Sequence, residues 1–167
     1  MKLSAALRLR KDYVGNLDKL RSRITSNCVV QEGSAPAEDP NVLIEKYLRL
    51  SEILKSLISD INYTNSQIRF KFNGSKVPRT MTEALAERDE LERNRNALQL
   101  MANKGVISQS IYTRKEIKSV SCVDVHAIQK RVNKVAAQGR RLEDAIEEQN
   151  WICDLIATVN YDDDDDN

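Results

Sequence analysis

The sequence predicts an all-α protein, an elongated four-helix bundle with a small β-hairpin inserted between its second and third helices. Aromatic residues make up 5% of the chain and charged residues 31%, a composition typical of helical bundles. Two long segments also carry an apolar residue every three or four positions, which keeps one narrow helix face turned toward a partner. The first stripe consists of Leu43, Tyr47, Leu50, Leu54, Leu57, Ile61 and Ile68, broken by Thr64. The second consists of Val125, Ile128, Val132, Val135, Leu142, Ile146, Cys153 and Ile156.

The first helix is predicted over about residues 4–27, with Ser4 as its N-cap. Residues 1–27 contain seven lysines and arginines but only two aspartates, so this segment is strongly basic. A basic helix could bind nucleic acid or an anionic membrane surface. The alternative is a solvated face, because the helix has its own apolar stripe of Leu9, Tyr13, Leu17, Leu20 and Ile24.

The second helix is predicted over about residues 40–68 and carries the first heptad stripe. Asp39 is expected to be its N-cap and Pro40 its first residue, where a missing N–H costs nothing. A β-hairpin follows at about residues 69–78, where apolar residues alternate around Asn73 and Gly74. That pair tolerates the two positive φ angles of a type I′ turn.

The third helix is predicted over about residues 81–104, opened by a capping box between Thr80 and Glu83. Arg88 and Arg95 fall on its apolar stripe. Their aliphatic stems could lie along the contact between packed helices while their guanidinium groups stay in water. Alternatively, acidic or amide partners hold them inside the bundle, or they line a binding site.

The last helix is predicted over about residues 124–160, with Asp124 as its cap. Residues 116–123 before it alternate enough to suggest a strand added to the hairpin. Residues 1–161 are expected to form one helical domain and residues 162–167 a disordered acidic tail.

No signal-peptide core fits the N-terminus, and the apolar run at residues 151–159 is too short to span a bilayer. Three cysteines without paired spacing favour a reducing compartment. We therefore expect a cytoplasmic protein that does not insert into membranes.

Catalytic and metal-binding motifs are weak throughout the chain. His126 is the single histidine, which argues against a histidine metal site, and the five glycines are dispersed rather than gathered in a phosphate loop. Glu116-Ile117-Lys118 has the E-x-K pattern of metal-dependent nucleases, but those enzymes need a mixed sheet. The sequence therefore favours a protein without a cofactor, a metal or catalytic activity.

Several polar strings outside the stripes are distinctive. They are Val30-Gln31-Glu32-Gly33, Pro36-Ala37-Glu38-Asp39-Pro40, Ile61-Asn62-Tyr63-Thr64-Asn65, Thr82-Glu83-Ala84-Leu85-Ala86-Glu87-Arg88-Asp89, Arg114-Lys115-Glu116-Ile117-Lys118, Val123-Asp124-Val125 and Asn150-Trp151-Ile152-Cys153-Asp154-Leu155. Together they resemble one family of small helical bacterial proteins whose members often carry the label septicolysin. The resemblance covers nearly the whole chain, in the family's order, and the label implies a cytolysin.

The resemblance also directs attention to polar positions that could gather at one end of the bundle and serve an enzyme. They could equally be helix caps and buried hydrogen-bond pairs. These positions are Asn62, Asn65, Arg88, Asp89, Lys115, Glu116, Lys118, Asp124, Asn150 and Asp154.

The functional hypothesis that the heptads favour is a self-associating helical scaffold or interaction protein, with the basic binder and the enzyme as alternatives. Trp151 and Leu155 lie four residues apart in the predicted last helix, so they would stand together on its surface. We predict that this pair is the contact of a homo-oligomer, unless the first helix covers it.

Overall fold

The computed structural model describes residues 1–106 and 120–161. Four helices lie in these ranges: α1 (Leu3–Asn27), α2 (Pro40–Gln67), α3 (Met81–Gly105) and α4 (Val125–Ile152). Between α2 and α3, β1 (Arg69–Phe70) pairs antiparallel with β2 (Arg79–Thr80). The predicted all-α class with a small hairpin is confirmed. None of these helices has an apolar stretch long enough to cross a membrane.

The chain divides into two compact units, Met1–Ile68 together with Glu148–Asn167, and Arg69–Glu147. In the first unit, α1 packs along α2, and every member of the predicted α2 stripe is buried or half-buried. Its core also includes two residues that follow α4. The buried members are Leu3, Ala6, Tyr13, Leu57, Ile61, Leu155 and Tyr161.

The start of α1 differs from the prediction, because Lys2 rather than Ser4 is the N-cap residue. No side chain among residues 1–106 and 120–161 caps this end. Instead, the Leu3 N–H donates to the Cys153 carbonyl at 3.0 Å. The Ser4 hydroxyl is buried and has no hydrogen-bond partner within the described residues. A contact 150 residues away in sequence, between Lys2 Nζ and the Ile152 carbonyl, helps to fix the helix start. A local capping rule could not anticipate it.

The starts of the other predicted helices are confirmed. The Asp39 side chain accepts a hydrogen bond from the Asn41 N–H at 2.8 Å, and Pro40 is the first residue of α2. Thr80 and Glu83 form both halves of the capping box of α3. Asp124 accepts from the Ala127 N–H at 2.9 Å at the start of α4.

The hairpin has the predicted turn but a different second strand. Asn73 and Gly74 both have positive φ, at 49° and 76°. The second strand lies beyond Pro78, with Arg79 opposite Phe70, because proline has no N–H to donate to the ladder. In the second unit, α3 contacts α4 through Leu98, Ala102, Ile128 and Val132.

The predicted end of the last helix is wrong, because α4 ends at Ile152 rather than near residue 160. Asp154 instead forms a β-bridge with Lys2, and the Leu155 N–H donates to the Met1 carbonyl at 3.0 Å. These partners replace the helical bonds that the chain would otherwise make. The predicted strand at 116–123 lies partly outside the described residues, and 120–123 do not form a strand.

Candidate functional site

Helix α2 has a second apolar face besides the one that packs against α1. Ile44, Leu48 and Ile58 are 37%, 51% and 37% exposed. Ser51 and Lys55 complete the spacing of three and four residues between them, so all five lie along one side of the helix. We call these five residues the outer stripe. Its three apolar side chains leave apolar surface exposed in the described part of the chain.

Charged residues accompany the outer stripe. Glu45 and Glu52 are exposed and come one position after Ile44 and Ser51. Lys55, inside the stripe, is also exposed. None of these three side chains forms an ion pair or hydrogen bond with another side chain in the described ranges, so all are available to a partner.

A buried carboxylate lies on another side of α2. Asp60 is 3% exposed and accepts hydrogen bonds from the Thr158 N–H at 2.8 Å, the Thr158 hydroxyl at 3.0 Å and the Tyr161 hydroxyl at 2.7 Å. One turn later, buried Thr64 accepts from the Ile156 N–H at 3.0 Å. We call these contacts the C-terminal clasp. They attach residues 156–161 to α2.

The ionisation of the clasp follows from these contacts. Burial acts to raise the pKa of Asp60, but the hydrogen bonds from Thr158 and Tyr161 outweigh it and lower that pKa. Burial, reinforced by the neighbouring Asp60 carboxylate, raises the pKa of the Tyr161 hydroxyl. At neutral pH the pair is therefore a carboxylate and a neutral phenol. Because strong donors already surround the carboxylate, the clasp is suited to holding the chain rather than to catalysis.

Sequence reasoning missed the clasp, although Thr64 was visible as the one polar break in the first heptad stripe. Its partners lie 92 or more residues away, and no local pattern connects Thr64 with Ile156 or Asp60 with Thr158. The usable signal was a polar residue inside an apolar face, which must be hydrogen-bonded when buried.

Arg88 and Arg95 line an open cleft between α3 and α4 with a volume of about 340 Å³. Arg88 is paired with the neighbouring Asp89, at 2.8 Å between Nη2 and Oδ1, and among the described residues no acidic side chain of another element pairs with it. The cleft mixes signs, because Glu92 and Glu143 line it as well. Both arginines therefore border a cleft, and whether that cleft is a binding site stays a prediction.

The other predicted polar positions are divided between the two units. Asn62, Asn65, Asn150 and Asp154 belong to the first, where Asp154 forms an ion pair with Lys2 at 3.0 Å. Arg88, Asp89 and Asp124 belong to the second, where Asp124 serves as a helix cap. Three more lie outside the described residues: Lys115, Glu116 and Lys118. Gathering of the set at one site stays a prediction.

The predicted oligomer contact needs a correction. Leu155 follows the end of α4 and is 8% exposed in the core of the first unit, so it does not share a helix surface with Trp151. Trp151 is 62% exposed, and the Arg8 guanidinium of α1 lies 5.9 Å from its ring centroid. Only the tryptophan remains available to a partner.

The basic residues of α1 are partly engaged within the first unit. Lys2 pairs with Asp154, Arg21 with Asp18 at 3.0 Å, and Arg23 with Glu38, in addition to the contact of Arg8 with Trp151. These contacts reduce the positive charge that a nucleic acid would meet. Among the described residues, no three His, Cys, Asp or Glu side chains are grouped to hold a metal ion.

The fold and its polar contacts define a helical protein whose described residues include a buried, hydrogen-bonded carboxylate, Asp60, and an exposed apolar helix face on α2. Residues 10–155 match a protein family described as a family of unknown function, DUF6847, and the chain belongs to that family. The chain is also similar to a crystal structure described as a functionally unknown conserved protein from Corynebacterium diphtheriae. The two are 30% identical, with a TM-score of 0.83, over 93% of this chain and 98% of that one. No curated protein matches the chain.

Neither description names an activity, a ligand or a partner. The resemblance to the proteins labelled septicolysin stays a prediction, because the family description does not carry that label.

Proposed function

We propose that this protein is a non-catalytic interaction protein that self-associates through the outer stripe of α2. The observation that carries the proposal is that α2 is apolar on two faces, only one of which packs against α1. A helix whose sole partner is another helix of its own chain needs one apolar stripe. A second stripe at heptad spacing is typical of a helix that packs against a further helix.

The apolar side chains of the stripe supply the driving force. Removal of apolar surface from water contributes about 25 cal/mol per Å². Leu48 is the apolar member nearest the middle of the stripe. At 51% exposed, it would lose a larger fraction of its surface in a contact than either isoleucine. Residues at the centre of an interface contribute more than those at its rim.

We expect Leu48→Lys to convert an oligomer of the wild type into monomers, because the substitution places a charge within an apolar contact that already holds the positive charge of Lys55. Light scattering at matched protein concentrations would report the mass. Circular dichroism should show unchanged helix content, since Leu48 is exposed in the single chain.

Val42→Lys is the matched control. Val42 is also on α2 and is 52% exposed, but it lies on a different side of the helix from the outer stripe. This variant should keep the mass of the wild type. Equal behaviour of the two variants would contradict a contact through the outer stripe, whereas a monomeric wild type would contradict self-association itself.

A further inference from the structure

We infer that the second copy docks with its own α2 antiparallel to the first, on a two-fold axis that passes beside Ser51. This inference rests on the proposed self-association and adds the orientation, the register and the charge contacts of the interface. Its partner is a second copy of this chain, and the interface is isologous, so the same residues are used by both copies.

The two isoleucines of the stripe are placed symmetrically about Ser51. Ile44 lies seven residues before Ser51 and Ile58 seven residues after it, and both are 37% exposed. At 1.5 Å per residue each isoleucine is about 10 Å from the proposed axis. An antiparallel pair centred there puts each Ile44 opposite the Ile58 of the second copy. Displacing the register by one heptad would leave one isoleucine of each copy in water.

Charge selects the antiparallel orientation over the parallel one. A parallel pair in register would place Lys55 of one copy against Lys55 of the other in the seam. In the antiparallel pair, the methylene stem of Lys55 lies against Leu48 of the second copy. Its ammonium group then faces Glu45, which is exposed and has no ion-pair partner in the described part of the chain. Opposite charges beside an apolar seam set helix orientation in this way.

The contact is small. Ile44 and Ile58, the ends of the outer stripe, are fourteen positions apart, or about 21 Å. A stable interface typically involves about 20–30 residues on each side, which is far more than the stripe supplies. We therefore expect a weak dimer whose population depends on protein concentration.

Reciprocal charge reversal tests the register. Lys55→Glu and Glu45→Lys should each weaken the dimer about tenfold, because each creates two symmetric like-charge contacts. An equimolar mixture of the two variants should restore association. In a dimer of one copy of each variant, both contacts between positions 45 and 55 join a lysine to a glutamate. Sedimentation velocity of each variant and of the mixture measures the three dissociation constants.

Arg49→Glu is the control for a general effect of charge, because Arg49 is exposed on α2 but away from the outer stripe. It should leave the dissociation constant unchanged. A wild-type dimer that Leu48→Lys disrupts, but whose reversed variants fail to recombine, would overturn the antiparallel register and leave self-association intact. A wild type that is monomeric at every concentration would overturn both.

Discussion

Replacing Asp60 by alanine is expected to lower the free energy of unfolding by about 3–4 kcal/mol, the largest effect we predict for one side chain. The carboxylate is buried and accepts from the Thr158 N–H, the Thr158 hydroxyl and the Tyr161 hydroxyl. Alanine would remove the acceptor while Tyr161 stays 5% exposed, which leaves a buried donor without its partner. Urea unfolding followed by circular dichroism measures this loss.

The pH dependence of the same variant gives an independent check. The hydrogen bonds of the clasp lower the pKa of Asp60 in the folded protein, although burial opposes them. Its contribution to stability is therefore fully present above the unfolded pKa of about 3.9 and is lost as the pH falls through the lower folded value. The difference in stability between wild type and Asp60→Ala should be constant near neutral pH and shrink in acid. A difference that grows in acid would contradict the assignment.

Leu155→Ala is expected to lower the free energy of unfolding by about 2–4 kcal/mol, because it opens a cavity in the core of the first unit. Leu155 is 8% exposed there, among residues of α1 and α2. The change should also weaken the docking of residues 156–161, since Leu155 immediately precedes the segment held by Thr64 and Asp60.

Trp151→Ala is the matched comparison for Leu155→Ala. Trp151 is larger but 62% exposed, so its truncation should change stability by less than about 1 kcal/mol. Thermal unfolding of the two variants separates the buried residue from the exposed one. Equal losses would mean that Trp151 contributes to the core as much as Leu155 does. That result would contradict the assignment of Leu155 to the core and Trp151 to the surface.

Local signals predicted most of the fold. The starts of α2, α3 and α4 follow from Asp39, Thr80 and Asp124, because a capping interaction is made within three residues and is therefore legible in the sequence. Positive φ at Asn73 and Gly74 was predictable for the same reason. The residues of the predicted α2 stripe are buried or half-buried, but the stripe did not include Asp60 or Ile53, which are also buried or half-buried.

Long-range contacts account for the errors. The helix pattern continues past Ile152, yet backbone groups near both chain ends pair with each other and stop α4 there. Leu155 is apolar at a helical spacing, and sequence reasoning therefore placed it on a surface stripe. The outer stripe was missed because Ser51 and Lys55 interrupt it, so its period is weaker than that of the buried stripe beside it.

Sedimentation equilibrium of the wild-type protein over about a hundredfold range of micromolar concentrations tests the central claim, self-association, most directly. We predict a weight-average mass that rises with concentration from the 19.0 kDa of one chain toward twice that value. A constant mass of one chain at every concentration would contradict the proposed function.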